Sequence, residues 1–184
     1  MRSLTFAAGI ATLAFPLYAS HSATITLGGP FSQLCYKAAL SQDDRDSSLE
    51  DCTRSLNEEA MENSDRAATY VNRGILRMIR GNDSAADADF DAALSIQHEL
   101  PDAWLNKGFL RIREGNGREA LPLLQQGIDR KPENVALAIF ARGVAYEQMG
   151  DFNAAYRDLR RAHELQPRWS MPSEYLAHYR LVSQ

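Results

Sequence analysis

The chain has 184 residues, a mass of 20.5 kDa and a formal net charge of −4, from 20 basic and 24 acidic side chains. Its length corresponds to a single domain. A mildly acidic chain without a dense basic run is a poor candidate for binding nucleic acid, because contacts from Lys and Arg to phosphates dominate that affinity.

The amino-terminus has the pattern of a secretory signal peptide over residues 1–23. Arg2 supplies a positive charge, the stretch from Leu4 to Tyr18 is almost entirely apolar, and small residues follow, so we expect cleavage between residues 19 and 23. The alternative is an uncleaved membrane anchor. However, about 15 apolar residues interrupted by Pro16 are short for a spanning helix, which needs roughly 20. The sequence therefore predicts an exported bacterial protein of the periplasm, without stable membrane insertion after cleavage.

Residues 24–31 have no helical periodicity and are predicted to form a flexible leader. Apolar residues at helical spacing then predict a pair of helices over residues 32–66, with one cysteine in each helix. In an exported protein, Cys35 and Cys52 favour a disulfide between the two helices. Two buried free thiols are the alternative, because Cys52 falls at a core position.

A local pattern then occurs three times at intervals of 34 and 35 residues. Each copy has a leading glycine, a second glycine seven residues later and an alanine twelve residues after the first. The three sets are Gly74, Gly81 and Ala86; Gly108, Gly115 and Ala120; and Gly143, Gly150 and Ala155. A repeat of this length indicates an array of two-helix units. In each unit the second glycine supplies the positive φ that ends the first helix.

This pattern resembles the tetratricopeptide repeat family. Beyond the glycines and alanines, the resemblance rests on an aromatic residue early in the unit, a large apolar residue late in its second helix and a closing proline: Tyr70 and Trp104; Phe90, Leu124 and Leu159; Pro132 and Pro167. It implies an all-α, right-handed superhelix of antiparallel helix pairs. The full units are residues 67–100, 101–134 and 135–168, after a degenerate pair at 32–66 and before a capping helix at 169–184.

The resemblance also implies that the first helix of each unit lines a concave groove. Residues one turn apart on these helices project together and would line it: Val71, Ile75, Met78, Leu105, Phe109, Ile112, Phe140 and Val144. Asn72 and Asn106 occupy one repeat position, where a side-chain amide can bond a peptide backbone. The alternatives are that neighbouring elements cover the apolar side chains and that the asparagines are structural.

The first helices also carry basic residues, some at positions where the family usually has Leu or Tyr. The basic edge comprises Arg73, Arg77, Arg80, Lys107, Arg111 and Arg142. One reading is attraction between paired helices, and the other is a basic strip that selects an acidic partner segment.

The sequence shows no catalytic constellation, no pair of histidines at the spacing of a helical metal site and no phosphate-binding glycine loop. We therefore expect no enzymatic activity, metal or cofactor. The expected function is a non-catalytic module that docks a partner protein or peptide in the concave groove, within the cell envelope. The alternative is a structural subunit or assembly factor that uses its terminal or convex surfaces, with Trp169 as a contact.

Overall fold

The computed structural model describes residues 3–6, 23–26 and 28–182. Within these ranges the chain forms nine helices and two short strands. In chain order they are β1 Ser3–Phe6, α1 Pro30–Ser41, α2 Asp46–Glu58, α3 Asn63–Ile79, α4 Asp83–Ile96, α5 Pro101–Arg113, α6 Gly117–Asp129, α7 Val135–Gln148, α8 Phe152–Leu165, α9 Ser170–Leu176 and β2 Tyr179–Val182. The helices pack as consecutive pairs, α1 with α2 through α7 with α8. The predicted all-α array of helix pairs is confirmed.

The turn between the two helices of each full unit has the same construction three times. Gly81, Gly115 and Gly150 have φ values of 77°, 76° and 78°. Only glycine adopts this left-handed conformation at no steric cost, so it ends the first helix. The next residue caps the second helix, because a side-chain oxygen of Asn82 or Asn116 accepts a hydrogen bond from a backbone N–H three residues on.

The leading glycines allow the two helices of a unit to approach closely. A Cβ atom on Gly74 would lie 2.5 Å from the ring of Phe90, and one on Gly108 would lie 2.6 Å from Leu124. The small residue therefore makes room for the large apolar residue late in the second helix. Phe90 and Leu124 are fully buried as a result.

Cys35 and Cys52 form a disulfide between α1 and α2, and both side chains are fully buried. This pair has a neighbouring unit on one side only, so it has less packing surface than the inner pairs.

We expect the double variant Cys35→Ala, Cys52→Ala to lower the free energy of unfolding by about 3 kcal/mol, the chain-entropy value for a loop of this length. The sequence separation of 17 residues sets that loop. Urea denaturation with and without a reductant measures the difference. Reduction should destabilise the native protein and leave the double variant unchanged. Equal stability of the native protein in both conditions would contradict a stabilising disulfide.

The carboxy end differs from the predicted helix over residues 169–184. The helix ends at Leu176, and Tyr179–Val182 pairs antiparallel with Ser3–Phe6, from Phe6 opposite Tyr179 to Ser3 opposite Val182. The partner of this strand is distant in sequence, so the local helical periodicity gave no indication of it. The expected cleavage region falls largely in residues 7–22, outside the described part of the chain. No described helix has the length and apolar character to span a bilayer.

Candidate interaction site on the first-helix face

The structure places every residue predicted to line an open groove in the interior. Their exposed fractions lie between 0% and 5%: Val71, Asn72, Ile75, Met78, Leu105, Asn106, Phe109, Ile112, Phe140 and Val144. The prediction that the eight apolar members present an open surface is therefore wrong for this conformation. We call the side of the array formed by α1, α3, α5 and α7 the first-helix face.

Neighbouring elements cover the eight apolar residues of this set, which we call the apolar stripe. The sequence left this alternative open. The first helices of successive units pack against one another, α1 with α3, α3 with α5 and α5 with α7. The ring of Phe140 makes edge contacts with Trp169 and Tyr175 of the terminal segment, at centroid distances of 4.9 and 5.0 Å. At the other end, Ala23 packs on the apolar cluster that contains Val71. These apolar residues therefore hold the array together.

One of the two asparagines in this set, Asn72, binds the backbone of the chain's own amino-terminal segment. The Thr24 backbone N–H donates to Asn72 Oδ1 at 2.9 Å, and Asn72 Nδ2 donates to the Thr24 carbonyl oxygen at 2.8 Å. The Asn72 side chain is fully buried. It thus satisfies both backbone groups of one residue, as a neighbouring strand would. Residues 23–26 of the predicted flexible leader and signal region are held in place by this contact.

A second side chain completes the site from the next unit. The Thr24 hydroxyl donates to Asp102 Oδ2 at 3.0 Å, and Asp102 lies in the first turn of α5. The next two residues alternate in exposure, with Ile25 59% exposed and Thr26 4% exposed, which is the pattern of an extended segment. Asn72 and Asp102 therefore hold one threonine between two successive units.

Asn106, the equivalent of Asn72 in the next unit, binds the backbone of its own helix. Its Nδ2 donates to the Asp102 carbonyl oxygen of its own helix at 2.8 Å. This bond lies within the first turns of α5, so Asn106 supports its own helix.

Sequence reasoning missed the other half of the site, Thr24 and Asp102. Asp102 lies in the first turn of a helix, where an acidic residue is common, so its residue type gave no signal of a binding role. The alternation of residues 24–26 was the available signal for an extended segment. Its docking place, 48 residues away at Asn72, had no local signal.

Comparisons with known proteins agree with this architecture. The model of the family described as "Tetratricopeptide repeat" matches residues 136–169. Residues 136–169 therefore match one tetratricopeptide repeat, and the consecutive helix pairs of the described residues have the fold of such an array. Among solved structures it is similar to MamA 41-end from Desulfovibrio magneticus RS-1, with 19% identity and a TM-score of 0.63, and to a MamA RS-1 double mutant, with 19% identity and a TM-score of 0.62. Each match covers 80% of this chain and 82% of the other.

At this identity the two structures show the fold alone. Comparison with curated proteins gives no match. Repeat arrays of the tetratricopeptide type generally act as scaffolds that bind other proteins, because stacked units create extended binding surfaces. Among the described residues, no group of three or more His, Cys, Asp or Glu could hold a metal ion.

All six residues of the predicted basic edge have acidic partners within the repeats. The pairs are Arg73 and Arg77 with Asp89, Arg80 with Asp46, Lys107 with Asp87 and Asp91, Arg111 with Asp87, Glu114 and Glu119, and Arg142 with Asp158. This arrangement favours attraction between helices over a strip that awaits an acidic partner.

Three of these cations occupy one repeat position and make one recurring contact. Arg73, Lys107 and Arg142 each donate to the same position in the second helix of the preceding unit, namely Thr53, Asp91 and Gln125. A cation in place of the family's usual Leu therefore joins successive units.

Two of the three cations also bind an aspartate of their own repeat. Arg142 donates twice to Asp158, at 2.7 and 2.9 Å, and this hydrogen bonding raises the pKa of Arg142. Arg73 makes the equivalent pair of bonds to Asp89. The second repeat has Leu123 at this position, so Lys107 reaches back to the preceding unit for both of its acids.

Proposed function

We propose that this protein docks an extended segment of a partner protein or peptide on its first-helix face, in the cell envelope, without catalysis. The observation that carries the proposal is the pair of hydrogen bonds between the Asn72 side chain and the Thr24 backbone, at 2.9 and 2.8 Å. Because the bound segment contributes only backbone atoms to these bonds, an extended segment from another molecule can make them equally well. Residues 23–26 thus occupy the place that we assign to the partner.

Because the apolar stripe is buried, docking does not depend on contacts between the partner and these side chains. Phe109, for example, is 2% exposed, so the partner does not gain affinity by covering it. The partner instead makes two backbone hydrogen bonds to Asn72, whose side chain is fully buried when the site is occupied.

The envelope location rests on the signal-peptide pattern of residues 1–23 and on the disulfide. Cleavage between residues 19 and 23 would remove β1 and leave Thr24 on the mature chain. Structural disulfides persist in oxidising compartments such as the bacterial periplasm and are rare in the cytosol.

Partner capture in the native envelope tests the docking proposal with the variant Asn72→Ala. We expect reversible cross-linking to recover a specific protein with the native chain, and about twofold to fourfold less of it with Asn72→Ala. The partner loses two bonds of about 1 kcal/mol each, and residues 23–26, which occupy the same place, lose the same two bonds and so compete less. Asn57→Ala, on the exposed part of α2, is the matched control and should capture as much as the native chain.

Circular dichroism should show equal helix content in all three chains. The same recovery with Asn72→Ala as with the native chain would contradict docking at Asn72. Recovery of the mature protein from the cytosolic fraction alone would contradict the proposed location. The buried apolar positions are poorer probes, because a charge at Phe109 would unfold the array.

A further inference from the structure

We propose that residues 23–26 are a resident ligand of the Asn72–Asp102 site, and that the partner displaces them with an extended segment that carries threonine or serine at the position of Thr24. This inference rests on the proposed function and names the chemistry of its partner. It also assigns a competing role to the chain's own amino-terminal segment.

The preference for a hydroxyl residue follows from Asp102. An ionised carboxylate only accepts hydrogen bonds, so it favours a side chain that donates over the short distance from the backbone. The Thr24 hydroxyl does so at 3.0 Å while the same residue's backbone binds Asn72. Valine has the same shape and no donor, and an acidic residue here would be repelled. The site therefore discriminates by what it rejects as well as by what it binds.

Ile25 and Thr26 restrict the sequence of a bound segment less than Thr24 does. Ile25 is 59% exposed, so the site reads little of its side chain. Thr26 is 4% exposed, and in the described part of the chain its hydroxyl has no hydrogen-bond partner. A buried hydroxyl without a partner gives no advantage over a methyl group. The expected partner segment is thus threonine or serine, then any residue, then a small β-branched residue.

Competition follows from the short connection to the array. Residues 27–29 join the segment to Pro30, the first residue of α1. A ligand tethered by so short a linker has an effective concentration in the millimolar range. The resident segment therefore weakens the apparent affinity of the site for every competing segment. Only a segment that binds more favourably than the tethered residues 23–26 displaces them.

The full-length variant Thr24→Pro tests this role, because proline lacks both the backbone N–H and the hydroxyl that the site binds. The probe is a fluorescein-labelled, acetylated peptide with the sequence of residues 22–28, measured by fluorescence anisotropy. We expect it to bind Thr24→Pro at least tenfold more tightly than the unmodified chain. The matched control Ile25→Ala alters the exposed neighbour and should bind as the unmodified chain does.

Two altered peptides test the chemistry of the site on the Thr24→Pro chain. A peptide with valine in place of its first threonine should bind at least fivefold more weakly, whereas valine in place of its second threonine should have little effect. Adding Asp102→Ala to the Thr24→Pro chain should abolish the difference between the first-position threonine and valine peptides.

Amide hydrogen exchange provides a second measurement on the full chain. Asn72→Ala should raise exchange at Thr24 towards that of an unstructured segment and leave α3 protected. The inference is overturned if the peptide binds both chains equally or neither, if threonine and valine peptides bind alike, or if exchange at Thr24 does not change. The proposed function fails separately, through partner capture that is indifferent to Asn72→Ala.

Discussion

Replacing Phe140 by alanine is expected to lower the free energy of unfolding by about 3–5 kcal/mol, the range for a fully buried phenylalanine. Phe140 is 0% exposed and lies at the junction between α7 and the terminal segment. Its ring contacts those of Trp169 and Tyr175, and such edge contacts add about 0.5–1.5 kcal/mol each beyond the buried area. The loss should appear as a lower urea midpoint.

The same variant should also loosen the terminal segment, which stability alone does not report. In a Trp104→Phe background Trp169 is the only tryptophan, so its emission reports the junction. We expect a red shift in native buffer for Phe140→Ala and a smaller one for Phe140→Leu, which restores most of the volume. Phe31→Ala, at the opposite end of the array, should leave this emission unchanged. A destabilisation below about 1 kcal/mol would contradict Phe140 as the anchor of the terminal segment.

The expected role of Phe140 also shows where sequence reasoning reached its limit. Spacing alone placed Phe140 and Val144 together on one side of α7, and the structure agrees. Spacing did not determine whether that side faces solvent or another element. Trp169 and Tyr175 cover it, and their approach depends on the path of the chain after α8. A buried row of apolar residues and an open apolar groove give the same helical periodicity, so the sequence pattern does not distinguish them.

The repeat geometry was predictable because each of its causes is local. Gly81 adopts its positive φ within a three-residue turn, and Gly74 meets Phe90 only 16 residues away. The site was not predictable because its two halves come from distant parts of the chain. Thr24 contacts Asn72 and Asp102 across separations of 48 and 78 residues. The residues next to Thr24 in the sequence give no indication of these contacts. Local rules specify the units, whereas the docking of the amino-terminal segment depends on the assembled array.

The basic residues illustrate the same distinction within the array. Their positions departed from the family's usual Leu and Tyr, which allowed either a functional strip or a structural role. The acidic residues opposite these cations favour the structural role, because each cation of the basic edge has a carboxylate oxygen within 3.0 Å. A cation so placed is already neutralised and offers little attraction to an acidic partner. In the docking that we propose, selectivity at the first-helix face depends on Asn72 and Asp102.

Asp89 offers the sharpest test of that structural role. It is 3% exposed and binds two guanidinium groups, accepting from Arg73 at 2.8 and 3.0 Å and pairing with Arg77 at 2.8 Å. Burial lowers the pKa of Arg77; Asp89 opposes that shift, and Arg73 adds to it. Asp89→Ala would leave two adjacent cations without their shared acid. We expect a loss of about 3 kcal/mol in the free energy of unfolding, since breaking one side of a buried pair is strongly destabilising.

The neighbouring aspartate on the same helix is the matched control. The Asp91 side chain is 64% exposed and pairs with Lys107 at 2.6 Å, so Asp91→Ala should cost less than about 1 kcal/mol. Adding Arg73→Leu, the residue usual in the family, to Asp89→Ala should recover part of the loss, because it removes one of the two unpaired cations. If Asp89→Ala and Asp91→Ala cost the same, the cations are solvated surface charges and the basic strip returns as a candidate for binding an acidic segment. A large difference with recovery by Arg73→Leu would mean that these cations join the helices.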